Sequence, residues 1–221
     1  ALGAQDLADL RATILDRSDV LIVSPPYSTM SRIRHSSHLG PAPVRGSTWP
    51  RGRPSLRAEE QQAVKEENSI IDFTFQLLAD LRKRPVTLFL EAPEDWGRRR
   101  RGTLASIWRW PAARALPSDY VQRGAIVWSD WAGPGYQHGP TGILTNAASL
   151  IRDKRFYAGW PALDSFGRYQ GPAPSAHLRT DVPATRKMPA KACLQISAPL
   201  LDSWLYPELA CVRKTPEVGE S

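Results

Sequence analysis

The chain has 221 residues, 42% hydrophobic and 23% charged, with a formal net charge of +7. That length supports one large domain with a real core, and the composition excludes a fibrous, disulfide-stapled or wholly disordered chain. No apolar run approaches a membrane span and no signal-peptide pattern opens the sequence, so no membrane partner is expected. The basic balance fits a polyanion, nucleic acid ahead of any anionic surface.

The twenty prolines argue for long irregular connections, and the eight tryptophans are many for this length, several beside Arg or Pro. Cys193 and Cys211 are the only cysteines and form no metal-ligand pattern, so no metal site is expected and a reducing, intracellular compartment is the simplest reading; the nucleus is compatible with it. The sequence opens at Ala1 without an initiator Met, which reads as a processed product or a segment of a longer polypeptide.

Leu7, Leu10, Ile14 and Leu15 recur at helical spacing, so residues 5–17 are predicted as a helix. Asp19–Val23 follows as a short buried strand, stopped by Pro25 and Pro26. Residues 32–57 are rich in Arg, Pro, Gly, Ser and His and read as a long loop of the kind that is functional or disordered. Residues 58–83 give the clearest helix: glutamates load its first half, Arg82, Lys83 and Arg84 its end, and Ile71, Phe75 and Leu78 lie on its apolar face. Val86–Leu90 is a second buried strand. Strand, loop, helix, strand is the order of a parallel β-α-β unit.

A helix is expected over 103–116, a third strand at Ala125–Trp128 and a fourth at Gly142–Asn146. Beyond 157 the chain reads as irregular, with one short helix within 189–206 and a tail over the last ten residues. The fold class is therefore α/β, a partial Rossmann-like and mostly parallel sheet with an irregular, Pro-rich C-terminal part. The expected division is 1–175 for the α/β domain and 176–221 for an irregular extension.

In open parallel sheets, ligands bind beyond the carboxyl ends of the strands. Here two neighbouring strands end in Ser24-Pro25-Pro26-Tyr27 and Glu91-Ala92-Pro93, so both motifs should face one crevice.

Ser24-Pro25-Pro26-Tyr27-Ser28-Thr29-Met30-Ser31 resembles the catalytic loop of cytosine-C5 DNA methyltransferases, in which Pro-Pro-Cys is followed by two residues, a large apolar residue and Ser. Phe89-Leu90-Glu91-Ala92-Pro93 is similar to the Glu-Asn strand end of that family, and the wider arrangement over 18–175 looks most like the methyltransferase-related domains of eukaryotic retroelements. The resemblance implies a flipped-out base, Glu91 as the carboxylate on its N3/N4 edge, and Pro25 and Pro26 as the shapers of the loop.

Ser24, Ser31, Arg32 and Arg34 would line the substrate side, and S-adenosylmethionine would be the methyl donor of an active member. Tyr27 stands where the family has its nucleophilic Cys, and a phenol is a poor soft nucleophile at neutral pH. Nothing upstream of Asp19 resembles the family's glycine-rich cofactor loop. The expectation is a truncated or catalytically degenerate domain, whose cofactor-binding segment comes from elsewhere or from another chain. Ser-Pro-Pro-Tyr also resembles the motif of amino-methyltransferases, where Ser24 would accept from the target amine and Tyr27 would stack on the base. A non-catalytic protein-interaction module, docking through an unpaired sheet edge, is the third expectation.

Arg98-Arg99-Arg100-Arg101 is a dense basic run that suits phosphate contacts, set against neutralisation by Glu91, Glu94 and Asp95. Arg32, Arg34, Arg45, Arg51, Arg53 and Arg57 along the long loop, with His35, His38 and Trp49, form a second candidate clamp, Trp49 either stacking on a base or pinning the loop. Trp108, Trp110, Trp128 and Trp131 are expected in the core. His138, in a glycine-rich run, is a weak catalytic candidate without partners. The partner expected overall is nucleic acid, DNA first.

Overall fold

The computed structural model describes residues 4–30, 33–36, 42–132 and 140–172. Ser31, Arg32, His38, His138, both cysteines, the helix expected within 189–206 and the whole of 176–221 lie outside the described residues.

Helix α1 spans Ala4–Arg17 and leads into strand β1, Val20–Val23. A 3-10 turn at Ser28–Met30 and the short α2, Ile33–Ser36, precede the long helix α3, Ala58–Leu81. Strand β2, Thr87–Pro93, returns parallel to β1, with Val23 opposite Leu90. The expected β-α-β unit is therefore present. Its two strands are in register, so the residues just after Val23 and Leu90 emerge side by side.

The rest of the sheet corrects the expectation of a mostly parallel, Rossmann-like arrangement. After a small hairpin, β3 (Arg98–Arg99) and β4 (Gly102–Thr103), come a 3-10 turn at Ile107–Arg109 and α4, Pro111–Arg114. Then follow β5 (Gln122–Ile126), α5 (Trp128–Ala132), β6 (Thr141–Thr145), α6 (Ala148–Ile151) and β7 (Phe156–Ala158). The five-stranded order is β1-β2-β6-β5-β7, and every pairing except β1 with β2 is antiparallel. Helix length supplies the reason. A parallel return needs a crossover as long as the strand, about 17 Å for five residues, whereas a five-residue helix spans about 7 Å. Of the described helices that lie between strands only α3 is long enough, and it serves the one parallel pair.

The helix expected over 103–116 is broken into two short pieces. Pro111 excludes the helical region for the residue before it, and Trp110 accordingly sits at φ −70°, ψ 140°. The third strand lies earlier than expected, and Trp128 begins α5 instead of ending a strand.

Two cores flank the sheet. On one face Leu88, Leu90 and Ala92 of β2 and Leu144 of β6 meet Ile71, Phe75 and Leu78 of α3 together with Trp108 and Trp110. Burial of each large apolar side chain contributes about 1.5–3 kcal/mol. On the other face Phe89, Ile126 and Ile143 meet Trp128, Trp131, Leu150 and Phe156. A third cluster, Leu77, Leu81 and Val86 with Ile14 and Leu15, seats α1 against the end of α3. The expected core role of Trp108, Trp110, Trp128 and Trp131 is met, all being buried. Strand β1 departs from its expectation. It is an edge strand, and because the second core stops at β2, Ile22 is 61% exposed.

Candidate functional site

Strand alternation decides which residues share a face. In β2, Leu88, Leu90 and Ala92 point toward α3, so Glu91 points to the opposite face with Phe89. In β1, Leu21 and Val23 pack toward α3, which leaves Ile22 on the other side, and Ser24 follows the same alternation. Ser24 donates to the Glu91 carboxylate across the parallel pair. Ser24 and Glu91, the residues that follow the paired Val23 and Leu90, therefore meet at the end of the parallel pair.

Glu91 is half-buried, and burial raises its pKa above the ordinary carboxylate value, opposed by the Ser24 hydrogen bond. Among the described residues no basic group forms an ion pair with it; Arg34 donates instead to the Ala42 carbonyl at 3.2 Å. Tyr27 is 44% exposed beside this pair in sequence, and its carbonyl accepts from Met30 N–H at 3.0 Å, closing the 3-10 turn.

The loop carrying Tyr27 is held from below by residues whose role the sequence reading missed. Glu67 of α3 accepts from Ser28 Oγ at 2.6 Å and from the Thr29 backbone N–H at 3.1 Å, and Thr29 Oγ1 donates to it as well. Arg45 lies beside it at 3.5 Å with a side chain fully out of solvent. Its guanidinium reaches Thr29 Oγ1, Asn68 Oδ1, and the carbonyls of Pro50 at 2.9 Å and Val64 at 3.1 Å. Burial lowers the Arg45 pKa to about 10, with Glu67 opposing the shift. Arg45 therefore leaves the candidate phosphate clamp. It ties the Tyr27 loop, the Pro/Arg-rich loop and α3 together.

Other arginines of that clamp are also engaged. Arg51 forms a two-pronged pair with Asp72 and lies 4.5 Å from the Trp110 ring centre, and Arg57 pairs with Glu60 at the start of α3. Arg53 lies over Trp49, itself 44% exposed, at 5.7 Å. The pattern is general. Arg99, Arg114, Arg123 and Arg155 lie over Trp96, Trp160, Trp108 and Trp131. About three such pairs would be ordinary for 221 residues. Much of the Arg and Trp excess is therefore used inside the fold.

The acidic neighbours of the Arg98–Arg101 run turn away from it. Glu94 pairs with buried Arg123, and Asp95 pairs with Arg109 while accepting from Gly97 N–H at 2.9 Å. Glu94 and Asp95 are thus engaged elsewhere, and among the described residues neither Arg98 nor Arg100 forms an ion pair with them. Arg98 and Arg100 are exposed on the β3–β4 hairpin.

The resemblance implies an S-adenosylmethionine site, and the described residues do not fit one. β1 runs into two prolines, which lack N–H donors, and β5 and β6 run directly into Val127-Trp128 and Asn146-Ala147. No glycine-rich turn joins a strand to a helix among the described residues. No family model, curated protein or solved structure matches the chain.

Proposed function

We propose that the end of the β1–β2 pair is a nucleobase-recognition site of methyltransferase-like character, in a domain that is catalytically degenerate with respect to cytosine-C5 transfer. The observation carrying this reading is the Ser24–Glu91 hydrogen bond across the parallel pair, with Glu91 half-buried and Ile22 and Tyr27 exposed on either side of Ser24 in sequence.

The chemistry follows from the carboxyl group. A carboxyl raised toward protonation offers one O–H donor and one carbonyl acceptor. The Ser24 hydroxyl marks one Glu91 oxygen as the acceptor and leaves the proton to the other. Cytosine presents an N3 acceptor beside an N4 amino donor, which matches that fixed pair. The Tyr27 ring supplies a stacking face for the base. Methyl transfer is not part of the proposal: position 27 is Tyr and not the soft nucleophile Cys, and no glycine-rich turn joins a strand to a helix among the described residues.

The test compares fluorescently labelled dC12 and dT12 single strands by anisotropy at fixed salt. The expected result is a preference for dC12 that Glu91→Leu abolishes and Tyr27→Ala weakens. Equal binding of the two strands by the unmodified protein, or an unchanged preference in both variants, overturns the base-edge reading. Calorimetry with S-adenosylmethionine completes it: micromolar binding by this chain would show that the degenerate assignment is wrong.

A further inference from the structure

Arg34, Arg53, Arg98, Arg100 and Arg168, which form no ion pair with a carboxylate among the described residues, come from four separate segments that meet around one hairpin. Arg101 N–H donates to the His35 carbonyl at 3.3 Å, which sets Arg34 and α2 beside the hairpin. Ser47 N–H donates to the Thr103 carbonyl at 3.1 Å, which brings the 46–53 loop with Trp49 and Arg53 against β4. Arg98 N–H donates to the Gly167 carbonyl at 2.6 Å, and Gly97 bridges Arg168, which adds a fourth segment.

That fourth segment carries the aromatic group. Asp164 Oδ1 accepts from the backbone N–H groups of Phe166 at 2.9 Å and Arg168 at 2.8 Å, and Gly167 takes φ +75°. The turn so closed holds Phe166 at its tip, 65% exposed, with the Arg168 guanidinium 5.3 Å from the ring centre. Leaving a phenyl ring this far in water opposes the hydrophobic effect and contributes nothing to either core.

We infer that the β3–β4 hairpin and the Asp164–Arg168 turn form a binding surface for single-stranded nucleic acid. Arg98 and Arg100 contact successive phosphates and Phe166 stacks on a base between them. Each part matches one requirement of such a partner. The exposed guanidiniums form a basic track, and their nearest acids in sequence, Glu94 and Asp95, are buried against Arg123 and Arg109 and do not cancel it. An aromatic face accepts any base because every base has a π-face, but only an unpaired base is free to stack on it. A duplex would use the charges and leave the ring idle. The surface uses none of the residues of the Ser24–Glu91 niche.

The experiment titrates the whole chain with labelled dT12, with an abasic 12-mer of the same backbone charge, and with a 12-base-pair duplex, across a salt series. For dT12, log K should fall linearly with log salt at about −0.7 per phosphate contacted. Arg98→Ala combined with Arg100→Ala should flatten that slope by about 1.4 for dT12 and the abasic strand alike. Phe166→Ala should weaken dT12 about five- to a hundredfold and leave the abasic strand unchanged.

Urea midpoints equal to that of the unmodified protein confirm that these surface variants fold. Duplex binding as tight as dT12, equal losses for dT12 and the abasic strand in Phe166→Ala, or arginine-dependent binding to phosphatidylserine vesicles that displaces dT12 would overturn the inference. The Glu91→Leu variant separates it from the base-edge reading: it should erase the dC12 preference while leaving dT12 affinity and its salt slope intact.

Discussion

Removing Arg45 should cost far more stability than removing any other arginine of the long loop. In Arg45→Ala the fully buried guanidinium disappears, leaving the Glu67 carboxylate buried without its counter-charge. The Pro50 and Val64 carbonyls and Asn68 Oδ1 lose their donor in the same step. Breaking one side of a buried ion pair costs about 3–5 kcal/mol, because the surviving charge stays desolvated. For a domain of this size that corresponds to a drop in melting temperature of about 6–20 °C. Arg51→Ala is the matched control. Its pair with Asp72 is about half exposed, and loss of that pair and of the contact with Trp110 amounts to at most about 2 kcal/mol. Arg45→Lys should also fail to restore stability, since one ammonium does not span acceptors arranged around a planar fork. Urea unfolding of the three variants side by side is the assay. An Arg45→Ala variant within about 1 kcal/mol of the unmodified protein would refute the argument that this residue pins the Tyr27 loop to α3.

The Glu91 shift has a definite sign in stability. Its folded pKa is raised above the ordinary value of 4.5, so as pH rises through that value the unfolded chain ionises first and stability falls until the folded pKa is passed. Glu91→Gln removes this fall, so the variant should gain stability relative to the unmodified protein between pH 4 and pH 7 in paired urea titrations; a gain in the opposite direction would contradict burial as the cause. Gly142→Ala should destabilise by about 1–3 kcal/mol, since a Cβ there would lie 2.5 Å from Trp108 Nε1 and 2.6 Å from the Arg123 guanidinium. Loss of the Trp108 Nε1 hydrogen bond to the Pro93 carbonyl, now 2.9 Å, should accompany it as a change in tryptophan fluorescence.

The β-α-β unit was legible because its signals are local. Val86–Leu90 is apolar but for Thr87, as a strand buried on both faces requires, and α3 carries a stripe at helical spacing from Val64 to Leu81, about five turns. Strand direction was not legible for β5, β6 and β7. Apolar content marks a strand as buried but says nothing of whether its neighbour runs the same way. The exposure of Ile22 was hidden for a related reason. Val-Leu-Ile-Val reads as buried on both faces, yet the second core ends one strand short of it. Glu67 left a trace that the reading passed over. It lies on the stripe formed by Val64, Ile71, Phe75 and Leu78, where a carboxylate needs a buried partner. Arg123 of β5 leaves the same trace, lying two residues from buried Val121 on one side and buried Ala125 on the other. In both cases the sequence shows that a partner is required, and only the fold shows which one.

The arginines therefore divide by burial into two groups that the sequence presents as one. Arg45 and Arg123 are desolvated, paired with Glu67 and Glu94, and shielded from salt. Arg98 and Arg100 are exposed, where a charge adds little to stability and is open to a polyanion. The net charge of +7 does not distinguish these uses, since a buried pair contributes nothing to it and an exposed arginine contributes fully. The division makes a crossed expectation. Neutralising a buried arginine should shift the unfolding midpoint, with any loss of nucleic-acid affinity following the fraction unfolded. Neutralising a hairpin arginine should leave the midpoint in place and flatten the salt slope. A basic protein whose charge served solubility alone would show neither half of that pattern on the hairpin.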